Sequence, residues 1–392
     1  MHINEGLGVF WTAIDRAQIG LDPRTGAALD NFSAAEIELV DALTQPHTDV
    51  EYWQRAHALK IPRSRAQQIV ALLDSANLLS TDLPHLPDCA AYWRVHHATP
   101  THRAAAHVHI PVLDSVGVAT AICCARAGIG TITTADAAIV SPLDHSALTR
   151  QHLGIRKNLA LTTALREENP AVHTISGSLP TIVVLTSSYG IDPQASVPYT
   201  ARHIPVLHAW VEEVDSYLGP LTIAHETPCA TCINLHHIDA NPDWAVLAPQ
   251  AFAARPIVPE SSTVALLAAL CTREVLTEID GYVSPLRKYI YRIPPAPEPA
   301  ELLTISFHPR CGCSADRAPS VSAPAATAPS PISVPDSRGT AQSSTARRGS
   351  TQRSFPQSGT AQPRPTQGGS TQGTPRSPDA HSSDTDPAGA HD

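Results

Sequence analysis

Two pairs of cysteines stand at spacings that suit a metal ion. The first pair is Cys229 with Cys232, and the second is Cys311 with Cys313, separated by Gly312. Zinc takes four such ligands in a tetrahedron, and a Cys-x-x-Cys turn presents two thiolates to one ion. The spacing predicts a structural zinc site, because four thiolates leave no coordination position open for a substrate.

Two other interpretations of these cysteines stay open. Cys229 and Cys232 also match a redox dithiol, and the four thiols could be unrelated to one another. A redox dithiol does not account for a second pair at the point where the composition of the chain changes. We therefore expect zinc at the two pairs. The remaining cysteines are predicted to be core residues: Cys89, Cys123, Cys124 and Cys271.

Composition limits the class of protein. The chain has 392 residues, of which 42% are hydrophobic, and a formal net charge of −9. An acidic chain lacks the basic surface of a nucleic-acid binder. No apolar run approaches the roughly 18–20 residues that cross a bilayer, and residues 1–20 lack the pattern of a signal peptide. These features predict a cytoplasmic protein without a membrane or nucleic-acid partner, where paired cysteines favour metal over disulfides.

The C-terminal segment, residues 314–392, differs in composition from the rest. It is dominated by Ser, Pro, Thr, Ala, Gly and Gln, and Phe355 is its one aromatic residue. Such a segment cannot bury enough apolar surface to offset the entropy of ordering it, so we expect it to be disordered. It is either a tether, an interaction tail or a solvated tail without a specific partner.

The N-terminal part, residues 1–88, is predicted to be a small helical domain. Ser33 and Glu36 have the spacing of a capping box, and helices are expected from there, over 49–59 and from Ser64. Three helices followed by a strand-like edge favour a winged-helix-like arrangement. Winged helices bind DNA or peptides, and the lack of a basic face favours a peptide.

The central part, residues 94–313, alternates strands and helices. This order predicts an α/β domain with a mostly parallel, doubly wound, Rossmann-like sheet. A nucleotide would lie at the first β-α turn of such a sheet. Strands are expected over 107–113, 131–135, 172–176, 181–186 and 203–211, and helices over 117–127 and 156–168.

Four sequence runs carry a family resemblance. They are Val112-Leu113-Asp114-Ser115-Val116-Gly117, Ala125-Arg126-Ala127-Gly128-Ile129-Gly130, Pro228-Cys229-Ala230-Thr231-Cys232 and His308-Pro309-Arg310-Cys311-Gly312-Cys313. Together they resemble a ThiF/E1-type adenylyltransferase domain over most of residues 107–313. The nearest similarity is to actinobacterial ThiF-like proteins of modified-peptide (azole-forming cyclodehydratase) pathways. The resemblance implies an N-terminal domain that binds a leader peptide, and a homodimer or a complex with a processing enzyme.

The resemblance places the nucleotide loop of the family on residues 112–117. Its Gly-x-Gly-x-x-Gly motif falls on Val112, Asp114 and Gly117, so the third glycine alone remains. The middle glycine lets the backbone approach phosphates. Asp114 adds a side chain and a negative charge at that place, where like charges repel.

Other groups of the family's site have counterparts in this chain. The resemblance implies that Asp136 binds ribose hydroxyls and that Arg150 and Lys157 contact phosphates. The family's magnesium-binding aspartate falls within 186–188, where this chain has Thr-Ser-Ser, and the nearest following acid is Asp192.

Two functions follow from these residues. In the first, the chain is a degenerate, non-catalytic scaffold that binds a peptide or protein partner and carries structural zinc. In the alternative, it is an ATP-dependent adenylyltransferase that activates a peptide or protein carboxylate, with Mg²⁺ held by Asp192. A dehydrogenase is disfavoured, because a nicotinamide cofactor needs the same missing glycine turn.

Overall fold

The computed structural model describes residues 1–80 and 86–314, which belong to one compact unit. The tail predicted over 314–392 lies outside the described residues, except for Ser314. The two largest of the four hydrophobic clusters among the described residues lie in different parts of the chain. One joins residues from Ile3 to Leu78, and the other joins residues from Ala106 to Ile293.

Residues 1–80 contain an antiparallel three-stranded meander followed by three helices. On strand β3, Ala17 and Ile19 are buried while Arg16 is exposed, which is the alternation of a half-buried strand. The capping box predicted at Ser33 and Glu36 is formed. The elements are β1 (His2–Ile3), β2 (Val9–Ala13), β3 (Arg16–Ile19), β4 (Ala27–Asp30), α1 (Ala34–Ala42), α2 (Asp49–Ala58), α3 (Arg63–Ser75) and β5 (Leu79–Ser80).

The three predicted helices are confirmed, but the meander that precedes them was not predicted. Strand order within it is β2-β3-β4, and β1 pairs separately with β5. The assignment of residues 1–88 as a winged-helix-like domain stays a prediction.

A seven-stranded sheet forms the centre of the remaining part. Its strand order is β12-β11-β10-β9-β8-β6-β7, in which β7, β6, β8 and β9 are parallel and the other pairings antiparallel. The strands are β6 (His107–His109), β7 (Thr131–Thr133), β8 (Ile182–Ser188), β9 (Val206–Val211), β10 (Ser216–Thr222), β11 (Tyr289–Ile293) and β12 (Glu301–Thr304). The helices are α4 (Pro87–His96), α5 (Thr101–Ala105), α6 (Ser115–Arg126), α7 (Ser146–His152), α8 (Lys157–Glu168), α9 (Pro193–Thr200), α10 (Ala230–Ala240), α11 (Trp244–Phe252) and α12 (Ser261–Ile279).

Helices cover both faces of this sheet, as the strand–helix alternation predicted. Along β9, Leu207 and Ala209 pack in the core shared with α6, α8 and α12. Trp210 points to the opposite face, where it packs against Ala230 and Ile233 of α10. Successive side chains of one strand therefore bury against two helical layers.

One predicted strand is absent. Over 172–176 only His173 makes a β-bridge, to Thr131, and Ile175 is 89% exposed. The hydroxyls of Ser176 and Ser178 form a local turn instead. A second difference is length, since β6 ends at His109 and not at residue 113. Within the described ranges, no helix has the length and apolarity needed to cross a bilayer.

Candidate functional site

The four predicted cysteine ligands meet at one point. Cys229 and Cys232 lie at the start of α10, and Cys311 and Cys313 lie in a short turn after β12. The sulfurs of Cys229 and Cys311 are 3.6 Å apart, those of Cys232 and Cys313 are 3.4 Å apart, and all four lie within 4.8 Å of one another. A tetrahedron with Zn–S bonds of about 2.3 Å has edges of about 3.8 Å. The cluster therefore fits a tetrahedral metal ion.

His308 and Asp239, for which the sequence predicted no role at the metal site, shape this cluster. The His308 backbone amide donates to the Cys232 sulfur at 3.3 Å, and its ring is buried. The ring is held by Asp239 of α10 at 2.8 Å, and Asp239 also pairs with Arg310. The arrangement fixes the loop before Cys311 to the helix that carries Cys232, which is the role of groups around a metal site. The run His-Pro-Arg immediately before Cys311 was the available sequence signal.

The turn between β6 and α6 is closed by its own carboxylate. Asp114 is the N-cap of α6, and its Oδ1 accepts from the Gly117 amide at 2.7 Å. Burial raises the pKa of Asp114, while the Gly117 amide, Thr186 and Lys157 oppose that rise. Helix N-termini attract anions, and here the anion is a side chain of the protein.

Gly117 is required for packing in this turn. A Cβ at residue 117 would lie 2.5 Å from the Val112 carbonyl oxygen and 3.2 Å from Ile110 Cγ2. This is the role of the third glycine in a dinucleotide fingerprint, which allows close contact between helix and strand. The retained glycine thus explains the fold of the turn without a nucleotide.

Asp136 and Lys157 are brought together, and both have partners within the chain. The Asp136 carboxylate accepts from the Leu113 amide at 3.0 Å and the Ala138 amide at 2.9 Å. Lys157 Nζ lies 2.7 Å from Asp144 Oδ1 and 4.0 Å from Asp136 Oδ2, and it donates to the Leu113 carbonyl at 3.0 Å. The predicted ribose-binding and phosphate-binding groups are therefore joined to each other through Leu113.

Asp144 is a member of this network that sequence reasoning missed. Burial raises the pKa of its carboxyl, but hydrogen bonds from Lys157 and Ser141 outweigh burial and lower it. The Ser141 amide and hydroxyl both reach the carboxylate, at 2.7 and 3.0 Å. The Ser-x-x-Asp spacing of residues 141–144 was the signal that could have identified the turn.

Arg150 and Asp192 are not part of this network. Arg150 is exposed on α7, and within the described ranges it makes no ion pair. Asp192 caps α9 by accepting from the Gln194 amide at 2.9 Å. It lines a cavity of about 540 Å³ with residues such as Asn234 and Phe252, and no contact among described residues joins it to Lys157.

The hydroxyls of Ser187 and Ser188, which stand where the resemblance places a magnesium-binding aspartate, also have partners within the chain. Ser187 donates to the Gly190 carbonyl at 2.7 Å, and the Ser188 hydroxyl accepts from the Ile257 amide at 3.0 Å. These contacts hold the end of β8 to the segments that follow it. They leave Thr186 as the hydroxyl that faces Asp114.

A groove in the N-terminal region differs from the turn before α6, where the polar groups already have partners within the chain. Strand β4 is an edge strand, since it pairs with β3 and with no other strand among the described residues. A cavity of about 470 Å³ separates β4 from helix α3. Its walls include Ala28 and Phe32 on one side and Leu72 and Leu78 on the other. The groove therefore has mostly apolar walls, with Asp30 and Ser75 as polar members, and lies beside an edge of β4 that is unpaired among the described residues.

This chain is similar to known proteins in structure. No protein-family model matches the sequence, and no curated protein matches it. The fold is similar to that of E. coli MccB crystallised with ATP, with a TM-score of 0.51 and 14% identity over 80% of this chain and 98% of that chain. It is similarly close to E. coli MccB with AMPCPP and MccA, at 15% identity, a TM-score of 0.51 and the same two coverages.

A further similar structure is PaaA, with a TM-score of 0.51 and 14% identity over 76% of this chain and 98% of that one. Eighty per cent of this chain is more than residues 94–313 contain, so the similarity to MccB extends beyond the α/β part. The chain therefore has the fold of MccB and PaaA, which agrees with the fold that the sequence motifs indicated.

Proposed function

We propose that this chain is a non-catalytic scaffold with a ThiF/E1-like fold, which binds a peptide or protein partner and carries structural zinc. The observation that supports this most strongly is the position of Asp114. Its carboxylate accepts the Gly117 amide at the start of α6, where a nucleotide phosphate would lie in this fold.

Electrostatics oppose a phosphate beside Asp114. Two unit negative charges 4 Å apart repel by about 1 kcal/mol in bulk water and by about 4 kcal/mol at the effective dielectric constant near a protein surface. Lys157 offers little compensation, because Asp144 already holds its ammonium group at 2.7 Å. A triphosphate would have to displace both internal contacts.

The groove between β4 and α3 is the proposed peptide site. An extended peptide can add to an exposed sheet edge through main-chain hydrogen bonds, with alternate side chains entering a pocket. Strand β4 supplies such an edge, and Phe32 and Leu72 supply apolar walls. MccB, which is similar to this chain in fold, was crystallised with MccA, and this supports a peptide-type partner for the present chain.

The second candidate function is ATP-dependent adenylation of a peptide or protein carboxylate. It is supported by the crystal structure of MccB with ATP and by the proximity of Asp136 and Lys157. Catalysis would require Lys157 to leave Asp144. Asp192 would also have to leave the N-terminus of α9 to reach the same site. These two rearrangements make the scaffold the better-supported proposal.

The groove is tested by selecting displayed random peptides against the full chain and measuring the affinities of those recovered. Leu72→Glu places a charge in the apolar groove, and because Leu72 is 50% exposed the change should leave the fold intact. Burying a leucine is worth about 1.5–3 kcal/mol, so we expect roughly tenfold to hundredfold weaker binding.

Val50→Glu is the matched control, since Val50 is an apolar residue of α2 with 64% exposure and does not line the groove. It should bind the selected peptides as tightly as the unchanged chain. Equal weakening by both substitutions, or no effect of Leu72→Glu, would contradict the assignment of the groove.

A further inference from the structure

Another cavity, distinct from the network around Lys157, opens at the carboxyl ends of two parallel strands. Tyr189 follows β8 and Glu212 follows β9, and both line a cavity of about 480 Å³ with Trp244 of α11. Ligands of open α/β sheets bind in the crevice outside the carboxyl ends of the strands. This cavity is therefore in the part of the fold where binding sites are built.

The cavity is acidic, and no Lys or Arg is among the described residues that line it. Glu212 and Glu213 both line it, and neither forms an ion pair with another residue in the described part of the chain. Burial raises the pKa of Glu212, its hydrogen bond from Trp210 opposes the rise, and Asp215 and Glu213 add to it. His237 also lines the cavity, but burial lowers its pKa, so its ring is neutral near pH 7.

Aromatic rings form the other walls and are held in place. Trp244 Nε1 donates to Asn234 Oδ1 at 2.7 Å, and its ring lies edge-on to His237 with centroids 5.4 Å apart. The Tyr189 hydroxyl donates to the Arg255 carbonyl at 3.2 Å. Fixed tryptophan and tyrosine rings attract organic cations through their negative faces. Carboxylates and aromatic rings around one cavity thus favour the same class of ligand.

Helix α11 adds an apolar rim to this cavity. None of its nine residues is charged, yet Val246 is 68% exposed and Leu247 is 46% exposed. Leu247 lines the cavity directly. Adjacent exposed apolar side chains such as these are typical of a contact surface for a partner. The partner segment should therefore carry apolar side chains next to its positive charge.

We propose that the cavity bounded by Glu212, Glu213 and Trp244 binds a cationic side chain of a peptide segment, with an apolar neighbour of that side chain resting on Leu247. The ligand is a guanidinium or ammonium group, chosen by charge complementarity with the two carboxylates. The inference rests on the proposed function only in taking a peptide as the partner. It assigns that peptide a charge and a second contact point.

The test is calorimetry of the full chain with two blocked tripeptides, acetyl-Leu-Arg-Leu-amide and acetyl-Leu-citrulline-Leu-amide. Citrulline has nearly the shape of arginine without its charge. We expect the arginine peptide to bind at least about tenfold more tightly, which corresponds to about 1.4 kcal/mol. Glu213→Gln, an exposed position that the fold tolerates, should reduce this preference at least threefold.

Glu298→Gln is the matched control, because Glu298 is exposed, pairs with no cation in the described ranges and does not line the cavity. It should leave the preference unchanged. Equal binding of the two peptides, no binding of either, or the same loss in Glu213→Gln and Glu298→Gln would overturn the proposal. The tripeptides are too short to need the β4 groove, so Leu72→Glu should bind them normally. Failure of the groove assignment would therefore be seen separately.

Discussion

The turn before α6 and the groove beside β4 differ in how their polar groups are satisfied. At the turn, Asp114 caps the helix and Lys157 is paired with Asp144. In the groove, the outer edge of β4 pairs with no strand among the residues described, and most of the lining residues are apolar. The turn at which open α/β sheets commonly bind nucleotides thus has internal partners here, and the open strand edge lies elsewhere.

This difference indicates where a ligand can bind without breaking contacts within the chain. A ligand at the turn before α6 must first break charge-assisted hydrogen bonds, each of which contributes about 1.5–3 kcal/mol. A peptide at β4 breaks none within the chain and gains main-chain hydrogen bonds. The comparison therefore predicts that a peptide binds along β4 and that no nucleotide binds at the turn before α6.

Removing the metal should have the largest effect and should separate the two regions. Cys311→Ser is expected to abolish stoichiometric zinc binding and to destabilise the α/β part strongly, since structural zinc contributes about 10–16 kcal/mol of apparent binding free energy in small domains. Metal analysis and hydrogen exchange measure the two effects. Amides of residues 1–80 should keep their protection, because that region has its own core.

Cys89→Ser is the control for metal removal, since Cys89 lies on α4 outside the cluster. It should retain one zinc ion per chain. Full zinc binding by Cys311→Ser would contradict the four-cysteine site.

Asp280→Asn should give the next largest effect, again confined to the α/β part. Asp280 accepts from the buried Arg103 guanidinium at 2.8 and 2.6 Å. Losing the charge leaves that guanidinium unpaired, which costs about 3–5 kcal/mol in the free energy of unfolding. Urea unfolding measures it. Glu38→Gln, which breaks an exposed pair with Arg55, should cost less than about 1 kcal/mol, and equal costs would be contrary to the account.

The same pair has a defined pH dependence. Burial raises the pKa of Asp280, but the bonds from Arg103 and His102 outweigh burial and lower it below the ordinary 3.8. A lowered folded pKa means that the stabilisation is complete above the ordinary value and is lost as pH falls through the lowered one. The difference between the unchanged chain and Asp280→Asn should therefore shrink below pH 4.

Asp114 should give the smallest effect on stability, and it tests the filled turn directly. Asp114→Ala removes the cap of α6 and should cost about 0.5–2 kcal/mol. Asp114→Asn keeps a capping oxygen and removes a carboxyl group whose pKa burial has raised. At pH 7 this substitution should leave the free energy of unfolding unchanged or increase it. That advantage should fade as pH falls below the raised pKa. Urea unfolding measures the free energy of unfolding of both variants. No loss of stability in Asp114→Ala would contradict the role of Asp114 as the cap of α6.

Residue types with strict local requirements were predictable from the sequence. Four cysteines need no knowledge of packing to indicate zinc, and the capping box at Ser33 follows from local geometry. The alternation of strands and helices gave the doubly wound sheet. These features depend on neighbours in sequence or on one shared ion.

Features set by distant contacts were not predictable. Asp144 is the partner of Lys157 because a loop brings the two residues together. The strand expected over 172–176 failed because its position at the sheet's edge left Ile175 in solvent. The meander over 9–30 did carry a signal, the alternation Arg16-Ala17-Gln18-Ile19, but four residues are too few to distinguish a strand from a loop.

We propose that the chain's own side chains occupy the turn before α6, where a nucleotide would otherwise bind. Calorimetry of the zinc-loaded full chain with ATP and Mg²⁺ tests it most directly. We expect a Kd for ATP no lower than about 1 mM, which corresponds to a binding free energy of about −4.1 kcal/mol, because ATP would have to displace Asp114 and the Lys157–Asp144 pair. Micromolar binding that Lys157→Ala abolishes would contradict it and would favour the adenylyltransferase instead.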